Sequence, residues 1–377
     1  MKIYHLIFLL MFVLSCQSAS NENNIQSENG MEVKYAQGFS IQYFDNYKLL
    51  TVKDPWQGAN KIQYQYALFN NAKNEPELPS NVKKIKIPLK KIICLSTSHI
   101  AFIDVIDEIH SITAISGAKY INNATVKEKI DDRSIVDIGY ENTLNYERIV
   151  ELNPDLVITY GVGSEVTGYN QKLNDMGIET IIIPEYLENH PLGKLEWIKF
   201  IAAFYDKEEI AQTYFEKVEN EYNQLIVQLP EEKEKPKVLF GLPWKDVWYV
   251  PGGKSFLAKM VNDAGGSYLW KDNQSRESIS LNIENVFIKA NNADIWLNTG
   301  TVHHREEILK IDERFKDFRP YTASKIYNNN LQENAAGGNN YWEKGVVEPH
   351  IILKDLIKIF HPGLLPNHSL VYYRYIE

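Results

Sequence analysis

Cysteine is almost missing from this chain of 377 residues, which holds only Cys16 and Cys94. With Cys16 engaged at the N-terminus, Cys94 has no partner in the chain, so the core must hold the fold without a disulfide. Positive charge is also short: 40 Lys and Arg face 49 Asp and Glu, and the net charge of −9 argues against a nucleic-acid partner. No long apolar run follows residue 14, so no second membrane segment is expected. Catalytic frames are missing as well. Gly161-Val162-Gly163-Ser164 does not fit the Gly-x-Ser-x-Gly frame, and Gly252-Gly253-Lys254-Ser255 lacks the earlier glycine and the strand-to-helix setting of a phosphate loop. The chain is therefore expected not to be an enzyme. What it has in excess is aromatic surface, 12% of residues including 23 tyrosines.

The N-terminus reads as a targeting segment. Lys2 precedes an apolar run from Ile3 to Leu14, which is too short to span a membrane comfortably. It ends at Val13-Leu14-Ser15-Cys16, a pattern that resembles a bacterial lipobox. Residues 1–15 are thus expected to be a lipoprotein signal peptide, with Cys16 as the lipidation site. An ordinary signal peptide with a chance cysteine is the competing reading. Stable anchoring takes more than one acyl chain, since each buried CH₂ contributes only ~0.8 kcal/mol. Residues 16–32 are polar and aperiodic and read as a flexible tether. The protein is expected in the cell envelope, facing the periplasm or the exterior and touching the membrane through lipid alone.

Residues 33–90 read as a β-rich accessory segment. Phe39-Ser40-Ile41-Gln42-Tyr43-Phe44 and Lys48-Leu49-Leu50-Thr51-Val52 flank the turn residues Asp45-Asn46, and Lys61 to Phe69 alternates as a third strand. From residue 91 the pattern changes. Short Ile- and Val-rich strands are expected at 91–95, 112–116, 134–138, 155–159 and 179–183, with helices between them. That alternation predicts a mainly parallel sheet covered on both faces. Residues 195–235 carry the linking helices, with Ile210, Tyr214, Val218, Tyr222 and Leu225 as a buried stripe. A break is expected near Asp206, whose side chain would cap the second part. A second strand–helix series follows over 236–377, including strands at 237–241 and 247–250. The fold class is α/β: two three-layer lobes, 91–194 and 236–377, joined by a single long helix, with the accessory segment in front. A helical joint predicts modest opening, and a monomer is expected.

Two stretches repeat one another. Asn145-Tyr146-Glu147-Arg148-Ile149-Val150 leads to Asn153-Pro154-Asp155-Leu156-Val157-Ile158, and Asn282-Ile283-Glu284-Asn285-Val286-Phe287 leads to Asn292-Ala293-Asp294-Ile295-Trp296-Leu297. Each reads as a short helix opened by Asn and an early Glu, then a turn, then a strand opened by Asp. A carboxylate in the first turn suits the positive end of the helix dipole. Two such units imply two similar lobes, each presenting one carboxylate.

These units, the lipobox, the strand followed by Ser-Thr-Ser at Leu95 to Ser98, Pro251-Gly252-Gly253-Lys254-Ser255-Phe256, Ala264-Gly265-Gly266, and the ending Leu353-Lys354-Asp355-Leu356 with His361-Pro362 together carry a family resemblance. They are similar to the substrate-binding lipoproteins of ABC importers for ferric siderophores, haem and cobalamin, over roughly residues 91–365. The resemblance implies a solute-binding component that captures an iron complex or corrinoid between its lobes. It would deliver this small-molecule metal chelate to an ABC permease dimer and hold no cofactor of its own. It also implies that Glu147 and Glu284 dock onto arginines of the two permease subunits.

Ligands of open α/β sheets sit beyond the carboxyl ends of the strands. Those ends carry Tyr120, Tyr140, Tyr160 and Tyr186 in the first lobe, with Ser96, Thr97 and His99 after its first strand. The second lobe offers Trp244, Trp248, Tyr249 and Asn298-Thr299-Gly300, while Tyr341 and Trp342 sit in a Gly/Asn-rich loop able to cover the entrance. Such rings suit a large flat or aromatic ligand, and Lys119, Arg276 or Arg305 could answer an anionic one. Two alternatives stand beside this reading. His99 with His303 and His304 would suit a zinc or manganese importer, although adjacent histidines make a poor chelate and no metal site is expected. An envelope hydrolase that opens a captured siderophore is the enzyme alternative.

Overall fold

The computed structural model describes residues 30–70, 75–140, 143–230, 234–245 and 247–377. The signal segment, Cys16 and nearly all of the tether lie outside these residues.

Four strands come first, β1 (Phe39–Tyr43), β2 (Lys48–Lys53), β3 (Gln63–Phe69) and β4 (Val82–Lys86), in the order β1-β2-β3-β4. The first three pair antiparallel, and β4 runs parallel to β3. The sequence hardly announces β4, because only Val82 and Ile85 of its Val-Lys-Lys-Ile-Lys are apolar and buried.

The first lobe contains β5 (Ile92–Cys94), α1 (Thr97–Val105), β6 (Ile112–Ile115), α2 (Ala124–Asp131), β7 (Val136–Asp137), α3 (Tyr146–Leu152), β8 (Leu156–Thr159), α4 (Val166–Asp175) and β9 (Thr180–Ile182). Its strands all pair parallel, in the order β7-β6-β5-β8-β9. The apolar runs of β5 and β8 are buried throughout, as a strand covered on both faces requires. Strand order reverses between β5 and β8, and a crevice opens at such a switch point.

The link is a bent pair of helices rather than one: α5 (Pro191–Ala202) and α6 (Glu208–Val227). Asp206 between them adopts φ 55°, which breaks the helical path. Its carboxylate does not cap α6. It accepts from Lys48 at 2.6 Å and Asn70 at 3.0 Å, tying the bend to the accessory sheet. The buried stripe of α6 is also corrected, to Ala211, Phe215, Val218, Tyr222 and Leu225. Ile210 is exposed and Tyr214 half-buried, because the bend resets which face meets α5. The accessory sheet docks here too, with Phe39 4.7 Å from Trp197 on α5.

The second lobe comprises β10 (Lys237–Phe240), β11 (Pro243–Trp244), β12 (Val247–Val250), α7 (Phe256–Asp263), β13 (Ser267–Tyr268), β14 (Ile279–Asn282), α8 (Ile283–Ala290), β15 (Ile295–Leu297), α9 (Arg305–Ile311), α10 (Arg319–Thr322), β16 (Ile326–Asn328), α11 (Pro349–Phe360) and β17 (Arg374–Tyr375). Its main sheet runs β13-β10-β15-β16-β17, parallel except at the β17 edge. The strand at 247–250 does not join that series; β11, β12 and β14 make a separate antiparallel sheet.

The repeated units occupy equivalent places. Each delivers the strand, β8 or β15, that pairs parallel with the first strand of its own lobe, β5 or β10. The strand-opening aspartates do the same job in both. Asp155 accepts from the backbone of Lys90 and Lys91 at 2.7 and 2.9 Å, and Asp294 accepts from Lys237 at 2.8 Å. Among the described residues no helix is long and apolar enough to cross a membrane.

Candidate ligand-binding cleft

Beyond the ends of β5, β8 and β9 the first lobe presents Ser96, Thr97, Tyr160 and Tyr186, while the second lobe brings Phe256, Arg276 and Trp342 to the same space. The cleft encloses about 340 Å³, and small-molecule sites typically fall in the range of roughly 300–1,000 Å³. An annex of about 240 Å³, lined by Tyr140 and Tyr169, shares the Tyr160 and Val162 walls with it. A larger hollow of about 520 Å³ runs along the flank of α1, between Asn122, Asn123 and the loop carrying Glu343. It lacks aromatic walls apart from Tyr214 and does not sit at the switch point, so the aromatic cleft is the stronger ligand site.

Two helices begin at this cleft. Ser96 is the extended residue before α1, with its hydroxyl 3.0 Å from that of Ser98, and Ser255 caps α7 by accepting from Ala258 at 3.3 Å. Helix N-termini favour negative charge. Lys194 of α5 lies beside them, its ammonium 4.1 Å from the centre of the Phe256 ring. Burial pulls its pKa below the usual lysine range, while Glu185 pushes it back up. Burial in turn raises the pKa of the Glu185 carboxyl. Tyr186 donates to the Gly161 carbonyl at 2.8 Å, which fixes its ring against the neighbouring loop after β8. A Cβ at Gly252 would collide with the carbonyl oxygens of Ser275 and Glu277. The glycine lets that loop lie close and hold Arg276 on the wall.

Of the residues expected at the cleft, Ser96, Thr97, Tyr160, Tyr186 and Trp342 are brought together. Tyr140 lines the annex, and Tyr120 packs on it at 5.2 Å, outside the cleft. Tyr341 is buried edge-on to Trp342, where desolvation pushes its hydroxyl up to about 12. Three expectations need correction. His99 is 0% exposed: it turns from α1 into the core, edge-on to Tyr160 at 6.4 Å, and burial lowers its pKa to about 3. Trp248 is fully buried and donates to the Phe240 carbonyl at 2.9 Å, pinning β12 to β10. Trp244 and Tyr249 stand exposed on the small antiparallel sheet, away from the cleft walls.

The sequence reading missed Gln57, Glu185, Lys194 and Glu277 as wall residues. Only the Pro251–Phe256 segment marked this neighbourhood, and nothing pointed to Gln57. His303 lies 3.2 Å from Glu333 and 3.3 Å from Arg374, outside the cleft. Among the described residues no three His, Cys, Asp or Glu side chains cluster in a way that could hold a metal ion.

Glu147 and Glu284 both occupy the second position of their helices and are exposed. Asn145 and Asn282 cap those helices, accepting from Arg148 at 2.9 Å and from Glu284 at 2.8 Å.

Known proteins share this architecture. An uncharacterised lipoprotein of Methanocaldococcus jannaschii is 27% identical over 357 residues, spanning 88% of this chain and 82% of its own length. The structure of an Fe³⁺-hydroxamate transport system protein from Saccharomonospora viridis superposes with a TM-score of 0.56 at 15% identity, covering 73% of this chain and 94% of that one. A periplasmic haem-binding protein of Vibrio cholerae superposes with a TM-score of 0.54 at 18% identity, covering 70% and 97%. The sequence profile of the family described as periplasmic binding protein matches residues 92–329, the first lobe, the linking helices and the second lobe as far as β16, and the chain belongs to that family.

Proposed function

We propose that this chain is the solute-binding component of an ABC importer and captures a chelated metal, as a ferric siderophore, haem or a corrinoid, in the interlobe cleft. The observation that carries this reading is the meeting of Tyr160, Tyr186, Phe256 and Trp342 with Lys194 and Arg276 at the switch point. Rings grip a large flat ligand, and Lys194 and Arg276, set among Glu185, Glu277 and two helix N-termini, offer donors to its polar rim. Similar folds in proteins described as haem-binding and as Fe³⁺-hydroxamate transport support the ligand class. The M. jannaschii relative named a lipoprotein supports lipid anchoring through Cys16 in the cell envelope. Glu147 and Glu284, one per lobe, address a two-fold permease; exposed charges of this kind set register and encounter rate more than affinity.

The test is a thermal-shift and tryptophan-fluorescence screen of the acyl-free mature chain. Haemin, ferric siderophores, cyanocobalamin and divalent metals serve as probes. A ligand at a hundred times its Kd stabilises the fold by about 2.7 kcal/mol. A chelate should raise Tm and quench emission, and Trp342→Phe should lose much of the quenching. A shift with zinc or manganese alone would overturn the reading.

A further inference from the structure

The accessory segment reaches the cleft. Its loop between β2 and β3 is closed at the base by Asp54, whose backbone N–H donates to the Ile62 carbonyl at 2.8 Å and whose carboxylate accepts from Ile62 at 3.1 Å. Trp56 anchors the loop: it is buried with Val166 and Ile182 of the first lobe. The next residue turns over the mouth of the cleft. Gln57 donates its backbone N–H to the Val162 carbonyl at 2.9 Å, and Gly58 donates to the Glu277 carboxylate of the second lobe at 2.9 Å. The loop therefore bonds to both lobes on either side of the ligand space, and Gln57 forms part of the wall. The Gln57 side-chain amide is half-buried and makes no hydrogen bond among the described residues. A buried anchor and two backbone bonds hold the backbone that carries this amide at the wall of the cleft, within reach of a ligand.

We infer that the loop of residues 54–62 is a third wall of the ligand cleft, supplied from outside the two lobes, and that Gln57 is a ligand-contacting residue. Resting on the binding reading above, the inference goes beyond it because the family profile begins only at residue 92. The amide can both donate to and accept from a ligand heteroatom, so it suits the carboxylate, hydroxamate or amide rim of a chelate.

The experiment compares the wild-type mature chain with Gln57→Ala, Gln57→Asn and, as a control on the exposed side of β1, Gln42→Ala. Titrations use haemin, ferric desferrioxamine B, ferric enterobactin and cyanocobalamin. For each probe that the wild type binds, Gln57→Ala should weaken Kd about tenfold at an unchanged ligand-free Tm. Gln57→Asn should fall between, and Gln42→Ala should match the wild type. Equal affinity in Gln57→Ala would overturn the inference while leaving the binding function intact. Weaker binding with a lowered ligand-free Tm would also overturn it, by assigning Gln57 to loop stability. If the wild type takes none of the probes, the binding reading fails and the inference falls with it.

Discussion

Glu284 meets Arg314 across 2.9 Å, and Asp312 holds the same guanidinium from its other edge at 2.7 Å. The two carboxylates hold the arginine pKa well above its ordinary value, and the arginine holds that of Asp312 down. Glu147, the counterpart in the first lobe, makes no ion pair among the described residues. The two presented carboxylates therefore differ in what they offer a partner. If these residues dock a permease as proposed, an incoming arginine would find Glu147 unpaired but would have to share or displace Arg314 at Glu284. Uptake assays in cells producing the cognate permease should show a larger loss for Glu147→Arg than for Glu284→Arg, and the double variant should abolish uptake with ligand affinity unchanged. Full uptake by the double variant would remove the docking role of both.

His99 predicts a pH dependence. In the unfolded chain it takes up a proton near its ordinary value of about 6.5, whereas the folded chain resists protonation until about 3 because the ring is buried. The unfolded state thus binds more protons throughout that window, and stability falls as pH drops through it. His190, lowered to about 4 by burial and by Lys259, adds to the same slope. Both ring nitrogens of His99 lack hydrogen bonds among the described residues, so an apolar replacement is tolerable. Urea denaturation of His99→Leu should give a flatter stability profile between about pH 6.5 and 4. Ligand affinity at pH 7.5 should stay that of the wild type. A profile as steep as the wild type's would mean His99 does not carry the dependence.

Much of the fold was legible because it is written in short-range signals. Asn145 and Asn282 mark helix starts, Asp155 and Asp294 mark strand starts, and the apolar runs of β5 and β8 mark a doubly covered sheet. The side-chain directions were less legible. His99 follows a strand end, as Ser96 and Thr97 do, but one turn into α1 it points back into the core. Trp248 and Tyr249 are neighbours on β12, so strand alternation sends one inward and the other to solvent. No local pattern separates those outcomes. Gln57 and Lys194 were invisible for another reason: both reach the cleft from elements outside the lobe sheets, through long-range contacts that single-chain periodicity does not encode.

Glu196 ties the residues after the tether to the linking helices. Its carboxylate accepts from the backbone of Lys34, Tyr35 and Ala36 at 2.8, 2.7 and 2.8 Å. Lys199, which like Glu196 is fully buried, completes the site at 2.8 Å and also donates to the Glu32 carbonyl at 2.7 Å. Removing one partner of a buried pair strands the other, at a cost of roughly 3–5 kcal/mol. Glu196→Ala should lose stability of that order in urea, and trypsin should cut after Lys34 much faster. Lys199→Met should cost less, because the carboxylate keeps its three backbone donors. Equal losses for the two variants would show that the ion pair, and not the backbone clasp, matters.

A second clasp joins the lobes directly. Glu343 accepts from the backbone of Asn122 and Asn123 at 2.7 and 2.6 Å, and Asn334 donates to the carbonyls of Lys119 and Ile121 at 3.1 and 3.2 Å. Gly338 sits so close that a Cβ there would collide with the Tyr120 carbonyl. Together with the helical link, this clasp restricts how far the lobes part. Gly338→Ala should push the loop away from the first lobe, and Glu343→Ala should remove its two strongest anchors. Both are expected to speed ligand release several-fold with less change in the association rate, since affinity differences among close variants lie mostly in dissociation. Small-angle scattering of the ligand-free variants should show a larger radius of gyration. Unchanged release and an unchanged radius would mean that the loop merely packs against the first lobe, and that the bent helices alone hold the cleft.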